Sequence, residues 1–326
     1  MQSSVGVLVV QLGTPDDPTP KAVRPYLRQF LSDPRVIEEA PTLRWRLILN
    51  LAILPFRPSQ SAAKYRRAWD PVTGSPLLHY TRLQTEALQR ELPDNLVRFG
   101  MQIGNPSVGS VVREMIQRGI DRLIVLPMFP QYSATTTASA YDCLFQALMR
   151  ERRVPAIRLI PPYYDDPGYL DAMVAVTRQD LAKLEWQPDH YLVSFHGIPV
   201  KYVQRGDPYP EQVARTTALL QERLQWPDGR WQQTFQSRFG RSEWLKPYTD
   251  PTLVELAKRG VKKVFVCLPG FTSDCLETLD EIGNESREAF QHAGGEKLRA
   301  CPCLNDHPAW IAAMKALVLR EGQGWI

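Results

Sequence analysis

The sequence predicts an α/β fold built as two similar lobes, each a four-stranded parallel sheet flanked by helices, and three observations predict it. At 326 residues the chain is long for one domain and fits two. Short apolar, β-branched runs recur along it between stretches of helical periodicity, the pattern of parallel strands joined by right-handed crossovers. These runs divide four and four about PPYYDDPG at 161–168, where proline, glycine and aspartate cluster. The expected domains are therefore 1–162 and 163–326, both Rossmann-like.

In the first half the strands are expected at GVLVVQLG (6–13), LVRFGMQIG (96–104), RLIVLPMFP (122–130) and AIRLIPP (156–162). In the second they are expected at HYLVSFHGIP (190–199), RWQQTFQSRFG (230–240), KKVFVCLPGF (262–271) and KLRACPCLN (297–305). Many of the 28 prolines follow strands, Pro15, Pro127, Pro130, Pro161, Pro199 and Pro269 among them, where they stop a strand and shape a loop. Loops at the carboxyl ends of open α/β sheets line the ligand crevice. The punctuation therefore falls where a site is expected.

Composition narrows the class. At 44% hydrophobic and 23% charged, with a net charge of +4, the chain reads as an ordinary globular protein. The start MQSSVGVLVVQLG lacks a basic n-region, and the longest lipid-like run, LILNLAILPF at 47–56, is too short to span a bilayer, so the expected address is the cytoplasm. Five cysteines make no disulfide framework and lack the spacing of a four-thiolate cluster. The clusters KYRR (64–67) and RERR (150–153) read as solvated helix faces, and no nucleic-acid signature is present. Walker A, GxGxxG and GxSxG motifs are absent, which argues against ATP, a dinucleotide and a hydrolase elbow.

Two features carry chemistry. His196 ends the fifth strand, with Gly197 and Pro199 behind it; taken alone it reads as structural as readily as catalytic. The other feature is PGFTSDCLETLDEIGNESREAF at 269–290. Wound at about 100° per residue, Asp274, Glu277, Glu281, Glu285 and Glu288 fall within an arc of about 80°. Asp274 and Glu277 suit the start of a helix dipole, but the further acids repel one another at i,i+4 with only Arg287 to answer them. Packed carboxylates hold a divalent cation or raise one another's pKa until one becomes a proton carrier. A histidine facing such a row suggests metal delivery coupled to proton removal.

Motifs along nearly the whole chain resemble those of the ferrochelatases. QLGTP (11–15), FLSDPRVIE (30–38), GSPL (74–77), GNPS (104–107) and PQYS (130–133) come first. SFHGIP (194–199), RGDPY (205–209), FQSRFG (235–240), WLKPYT (244–249), FTSDCLETLDEI (271–282) and PCLND (302–306) follow in the family's order. Each is weak alone; in one order they are specific. The resemblance implies a lyase-class metal chelatase that inserts ferrous iron into protoporphyrin IX and releases two protons, the last step of haem synthesis. It implies a chelatase-like fold with the porphyrin cleft between two Rossmann-like domains. Carried over by motif, His196 and Glu277 are the catalytic and metal-binding pair, and Asp274, Glu281 and Glu285 line a metal or proton path. Tyr132, Trp244 and Arg35 would meet the porphyrin, Arg35 through a propionate.

Three departures qualify it. Many bacterial relatives read RYGNP where this chain has Gln102-Ile103-Gly104-Asn105-Pro106. The residue after Asp274 is Cys275, a histidine in the animal forms. No cysteine-bearing extension follows Cys303, so no iron–sulfur cluster and a monomer are expected, with Fe2+ as substrate rather than cofactor. The segment 45–56, WRLILNLAILPF, corresponds to the family's cleft lip. From pattern alone it reads equally as a buried core helix; with Arg44, Arg46 and Arg57 beside it, it suits reversible contact with the inner membrane face. Other readings are a chelatase for another tetrapyrrole or ion, a non-catalytic haem or metal carrier, and a sugar-nucleotide transferase.

Overall fold

Eight strands pair into two parallel sheets in the computed structural model, which describes residues 4–38, 42–238, 240 and 242–326. In the first sheet β1 (Val5–Thr14), β2 (Leu96–Gly104), β3 (Arg122–Pro127) and β4 (Ala156–Leu159) run in the order β2-β1-β3-β4. In the second, β5 (His190–His196), β6 (Trp231–Gln236), β7 (Lys263–Cys267) and β8 (Lys297–Ala300) run in the order β6-β5-β7-β8. The two halves thus repeat one topology. Each expected strand is present; β1 and β2 run their full expected length, and the other six stop short of it, five of them beside a proline or glycine.

β1 is buried along almost its whole length because helices cover both faces of a parallel sheet, which is why it reads as VGVLVVQLGT rather than alternating. Helices start where the sequence supplies caps. The Ser75 hydroxyl accepts from the Leu78 amide ahead of helix Pro76–Glu91, and the Asp166 carboxylate accepts from Gly168 and Tyr169 ahead of helix Pro167–Leu181. Gly13 in QLGTP has φ +112°, and a Cβ there would sit 1.7 Å from the Ile103 carbonyl oxygen of β2. Gly13→Ala is therefore expected to cost on the order of 3 kcal/mol, read as a fall in the urea midpoint. An unchanged midpoint would contradict that close approach.

The chain divides into two compact units, one comprising Met1–Pro162 with Ile311–Ile326 and the other Tyr163–Trp310. The break near 162 lies at the expected proline cluster, but residues 311–326, assigned from sequence to the second domain, belong with the first. Arg158 of β4 donates to the carbonyls of Glu321 and Gln323, both at 2.7 Å, and its guanidinium lies 4.1 Å from the Trp325 ring centroid. Lys315 pairs with Glu91 at 2.9 Å. The strand rhythm of the sequence did not show which sheet the end of helix Pro308–Glu321 would join. Among the described residues no helix is long and apolar enough to cross a membrane.

Candidate active site

In the second sheet the chain passes from β5 to β6 on one side and returns to β7 on the other, so the switch point lies between β5 and β7. Ligands of open α/β sheets bind at the carboxyl ends of such a pair. His196 is the last residue of β5, and Glu277 lies in the segment that follows β7.

His196 is half-buried, with Nδ1 2.7 Å from the carbonyl oxygen of Gly197. A carbonyl only accepts, so Nδ1 carries the proton and Nε2 of the neutral ring holds the lone pair. The Tyr209 hydroxyl donates to the His196 carbonyl at 2.9 Å and fixes the strand end. Beside the imidazole stands Trp244, ring centroids 6.2 Å apart and planes at 50°. WLKPYT is held there by a short antiparallel ribbon: Val200 N–H donates to Glu243, and Leu245 N–H to Ile198. Gly197 allows the approach, since a Cβ would come 3.3 Å from Trp244 Cε3. The indole Nε1 of Trp244 is buried and has no hydrogen-bond partner among the described residues.

The acidic segment departs from the expected α-helix. Glu277–Ser286 is a π-helix, and an α-helix resumes at Arg287–His292. The wider i→i+5 winding replaces the assumed 100° step, so the five acids do not form the single narrow stripe read from sequence. Asp274 precedes the helix and is 5% exposed. Its carboxylate accepts from Thr278 Oγ1 at 3.0 Å, Asn305 Nδ2 at 2.7 Å and the Cys303 amide at 3.3 Å, tying the PCLND loop to the helix start.

Glu281 is the most perturbed acid. Its two oxygens accept from the Ser237 amide and hydroxyl, each at 2.6 Å. Burial above all, with the charges of Glu277 and Asp250 added, pushes its carboxyl up to about 7 against the pull of those two bonds. Burial first, then the neighbouring Glu277 carboxylate, holds the Cys275 thiol well above its usual range. Glu285 is half-buried and Glu288 exposed, so the acids grade from interior to solvent. They follow one another rather than converge: among the described residues no group of three or more His, Cys, Asp and Glu side chains is arranged to hold an ion.

Arg35 and Tyr132 belong to the first unit. Arg35 forks onto Asp142, Nε to Oδ2 at 2.7 Å and Nη2 to Oδ1 at 3.3 Å, and both side chains are exposed. Tyr132 is half-buried within electrostatic range of Arg35 and Tyr141. Gln102, the first residue of QIGNP, is buried and donates to Ser139 Oγ at 2.5 Å; that hydroxyl donates to Asp33. FLSDPRVIE and QIGNP are thereby joined at the carboxyl edge of the first sheet.

Three residues of consequence carried no chemistry in the sequence reading: Gln236, Ser237 and Asp142. Gln236 and Ser237 lie in FQSRFG, of which Phe239 is outside the described residues. Their partners are 41 and 44 positions away, a pairing visible only once strands align. The φ of +66° at Ser237 turns its amide and hydroxyl together onto Glu281.

A family model described as Ferrochelatase matches residues 4–322. Relatives named Ferrochelatase from Mesorhizobium japonicum and Rhodopseudomonas palustris strain BisB5 are each 48% identical over 326 residues, 99% of this chain and 92% and 94% of theirs. One from Rhizobium meliloti is 46% identical, covering 99% of this chain and 96% of its own. SirB from Bacillus subtilis with Fe3+ has TM-score 0.54 at 14% identity, over 99% of this chain and 98% of its own. CbiX, the terminal enzyme for biosynthesis of sirohaem in denitrifying bacteria, has TM-score 0.51 at 16% identity, over 98% and 99%. At those identities the structural likeness is one of fold. The near-complete family match and relatives at almost half identity lead to one conclusion: the chain belongs to the ferrochelatase family.

Proposed function

We propose that this protein inserts ferrous iron into protoporphyrin IX, forming protohaem and releasing two protons. One observation carries the reading. At the switch point an imidazole whose Nε2 is left as the base shares a strand edge with acids, one of which titrates at about 7.

The chemistry needs those two parts. A free-base porphyrin holds two inner N–H protons that leave as the ion enters. Nε2 of His196 takes one, and the Nδ1–H bond to Gly197 keeps the ring oriented while it does so. Ferrous iron, here the substrate, suits imidazole and carboxylate ligands, so Glu277 with His196 meets the ion. Glu281, near half-protonated at neutral pH, exchanges protons in either direction, and the half-buried Glu285 is assigned to the same path. Asp274, held by three donors, braces the start of this path. Trp244 offers the macrocycle an aromatic face and an indole N–H that has no partner among the described residues; Tyr132 is assigned to the porphyrin on the family resemblance. The exposed Arg35–Asp142 pair is worth little in water, so a propionate can replace Asp142 on the guanidinium. Cys303 is buried in an apolar cluster with its amide on Asp274, and we assign it to packing rather than to an iron–sulfur cluster. Anaerobic incubation with ferrous iron and a panel of tetrapyrroles tests the reading: the protoporphyrin spectrum should convert to that of haem over many turnovers. Stoichiometric binding without turnover would make the protein a carrier instead.

We further propose that the protein acts as a monomer in the cytoplasm and touches the inner membrane face through 45–56. Helix Leu43–Ile48 and the π-helix Leu49–Ile53 bury Leu49 but leave Leu43 73%, Leu47 52% and Leu51 71% exposed, with Phe56 beyond them at 69%. The segment is thus only partly the core helix that its pattern allowed. Arg44 and Arg46 flank these side chains, the composition of an anionic-surface contact. The double variant Leu47→Glu, Leu51→Glu is expected to stop co-sedimenting with phosphatidylglycerol vesicles while still metallating detergent-dispersed porphyrin. Unchanged sedimentation would end this part of the proposal.

A further inference from the structure

Behind His196 and Glu277 runs a buried polar ladder that no step of the proposed reaction uses. Gln236 ends β6 directly opposite His196 and is 4% exposed, too deep to meet a substrate. Its main-chain carbonyl accepts from the Gly197 amide at 2.9 Å. Its Nε2 donates to the main-chain carbonyl of Glu277 at 2.9 Å, and its Oε1 accepts from Ser194 Oγ at 2.9 Å. Ser194 Oγ lies 2.9 Å from Thr249 Oγ1, which is 3.0 Å from Thr234 Oγ1, all three residues being buried.

The orientation of the amide follows from its partners. The Glu277 carbonyl can only accept, so the NH2 end must face it, and the oxygen end is left to Ser194. A side chain with a donor at one end and an acceptor at the other is what this gap requires. The helix it reaches has need of an anchor. The π-helix Glu277–Ser286 has no side-chain cap at Leu276, and π-helical winding is the rarest of the helical forms. Gln236 is bonded on one side to the residue after His196 and on the other to Glu277 itself.

We propose that Gln236 is a positioning residue: a strut that sets the main chain of Glu277 against the His196 strand and so fixes the spacing between imidazole and carboxylate. The proposal rests on the chelation reading for its kinetic consequence but not for its structural one. Gln236→Met keeps the length of the side chain and removes both bonds; Ser194→Ala removes only the one behind it. Outer partners of reacting groups are typically worth about 10- to 100-fold, so Gln236→Met is expected to lower kcat by about that factor with KM for porphyrin unchanged. Ser194→Ala should fall in between and serves if Gln236→Met does not fold. In the ligand-free protein, amide hydrogen exchange over 277–286 should quicken in both variants while that of β5 stays as in the wild type.

Unchanged exchange over 277–286 overturns the proposal whatever the turnover. So does a rise in KM that accompanies the fall in kcat, which would mark general damage to the site. If the wild-type protein fails to metallate porphyrin, the chelation reading falls. The exchange experiment, which needs no substrate, still decides the strut.

Discussion

His196→Ala and Glu277→Ala are each expected to lower kcat for iron insertion by about 10²- to 10⁴-fold, the usual worth of a positioned acid or base. Neither change should unfold the protein. His196 sits at a strand end whose ladder bonds are main-chain, and the Tyr209 hydroxyl binds its carbonyl rather than its ring. The bond from Gln236 likewise goes to the carbonyl of Glu277, not to its carboxylate. Truncation therefore removes a reacting group and leaves its support standing. Anaerobic metallation followed by absorbance, with thermal melting alongside, measures both effects. Near-wild-type turnover in the two variants would refute the roles proposed for them.

Glu281→Gln is expected to lose activity and gain stability, and the gain should depend on pH. The folded protein holds the Glu281 proton up to about pH 7, whereas the unfolded chain releases it near the ordinary value of 4.5. Between those limits the native state binds more protons, so wild-type stability falls as pH rises through the window and is level above it. Glutamine has no proton to lose. Its oxygen still accepts from the Ser237 amide, and its NH2 group donates to the Ser237 hydroxyl, so the packing is kept. The variant should match the wild type below about pH 4.5 and exceed it by up to about 3 kcal/mol above pH 7. Urea unfolding at pH 4.5 and 8 provides the comparison. Equal stability at both pH values would mean that the carboxyl is not held protonated, and the proton route through it would fail. Such a trade of stability for function is common at reacting sites.

The strands were the most legible part of the fold. VGVLVVQLGT and its counterparts are apolar throughout because both faces of the sheet are covered, and proline or glycine ends most of them. The placement of His196 and Glu277 was legible for the same reason: one ends β5 and the other follows β7, at the edge where α/β sheets gather ligands. Helical winding was not legible. The run from Glu277 to Ser286 carries nothing that separates i→i+4 from i→i+5, and the difference rearranges every acid on it. Contacts that join distant segments were equally hidden, as with Ser237 on Glu281, Gln236 on Glu277 and Asp142 on Arg35. Those pairings depend on strand order, which the sequence rhythm leaves open.

The division of the chain bears on its birth at the ribosome. Residues 1–162 emerge first and already contain one whole sheet, yet the arginine of its edge strand and the tryptophan beneath that arginine are separated by more than half the message. The unit translated earliest thus lacks residues 311–326 until synthesis nears its end. Nascent chains halted before that point should be far more open to protease than the released protein.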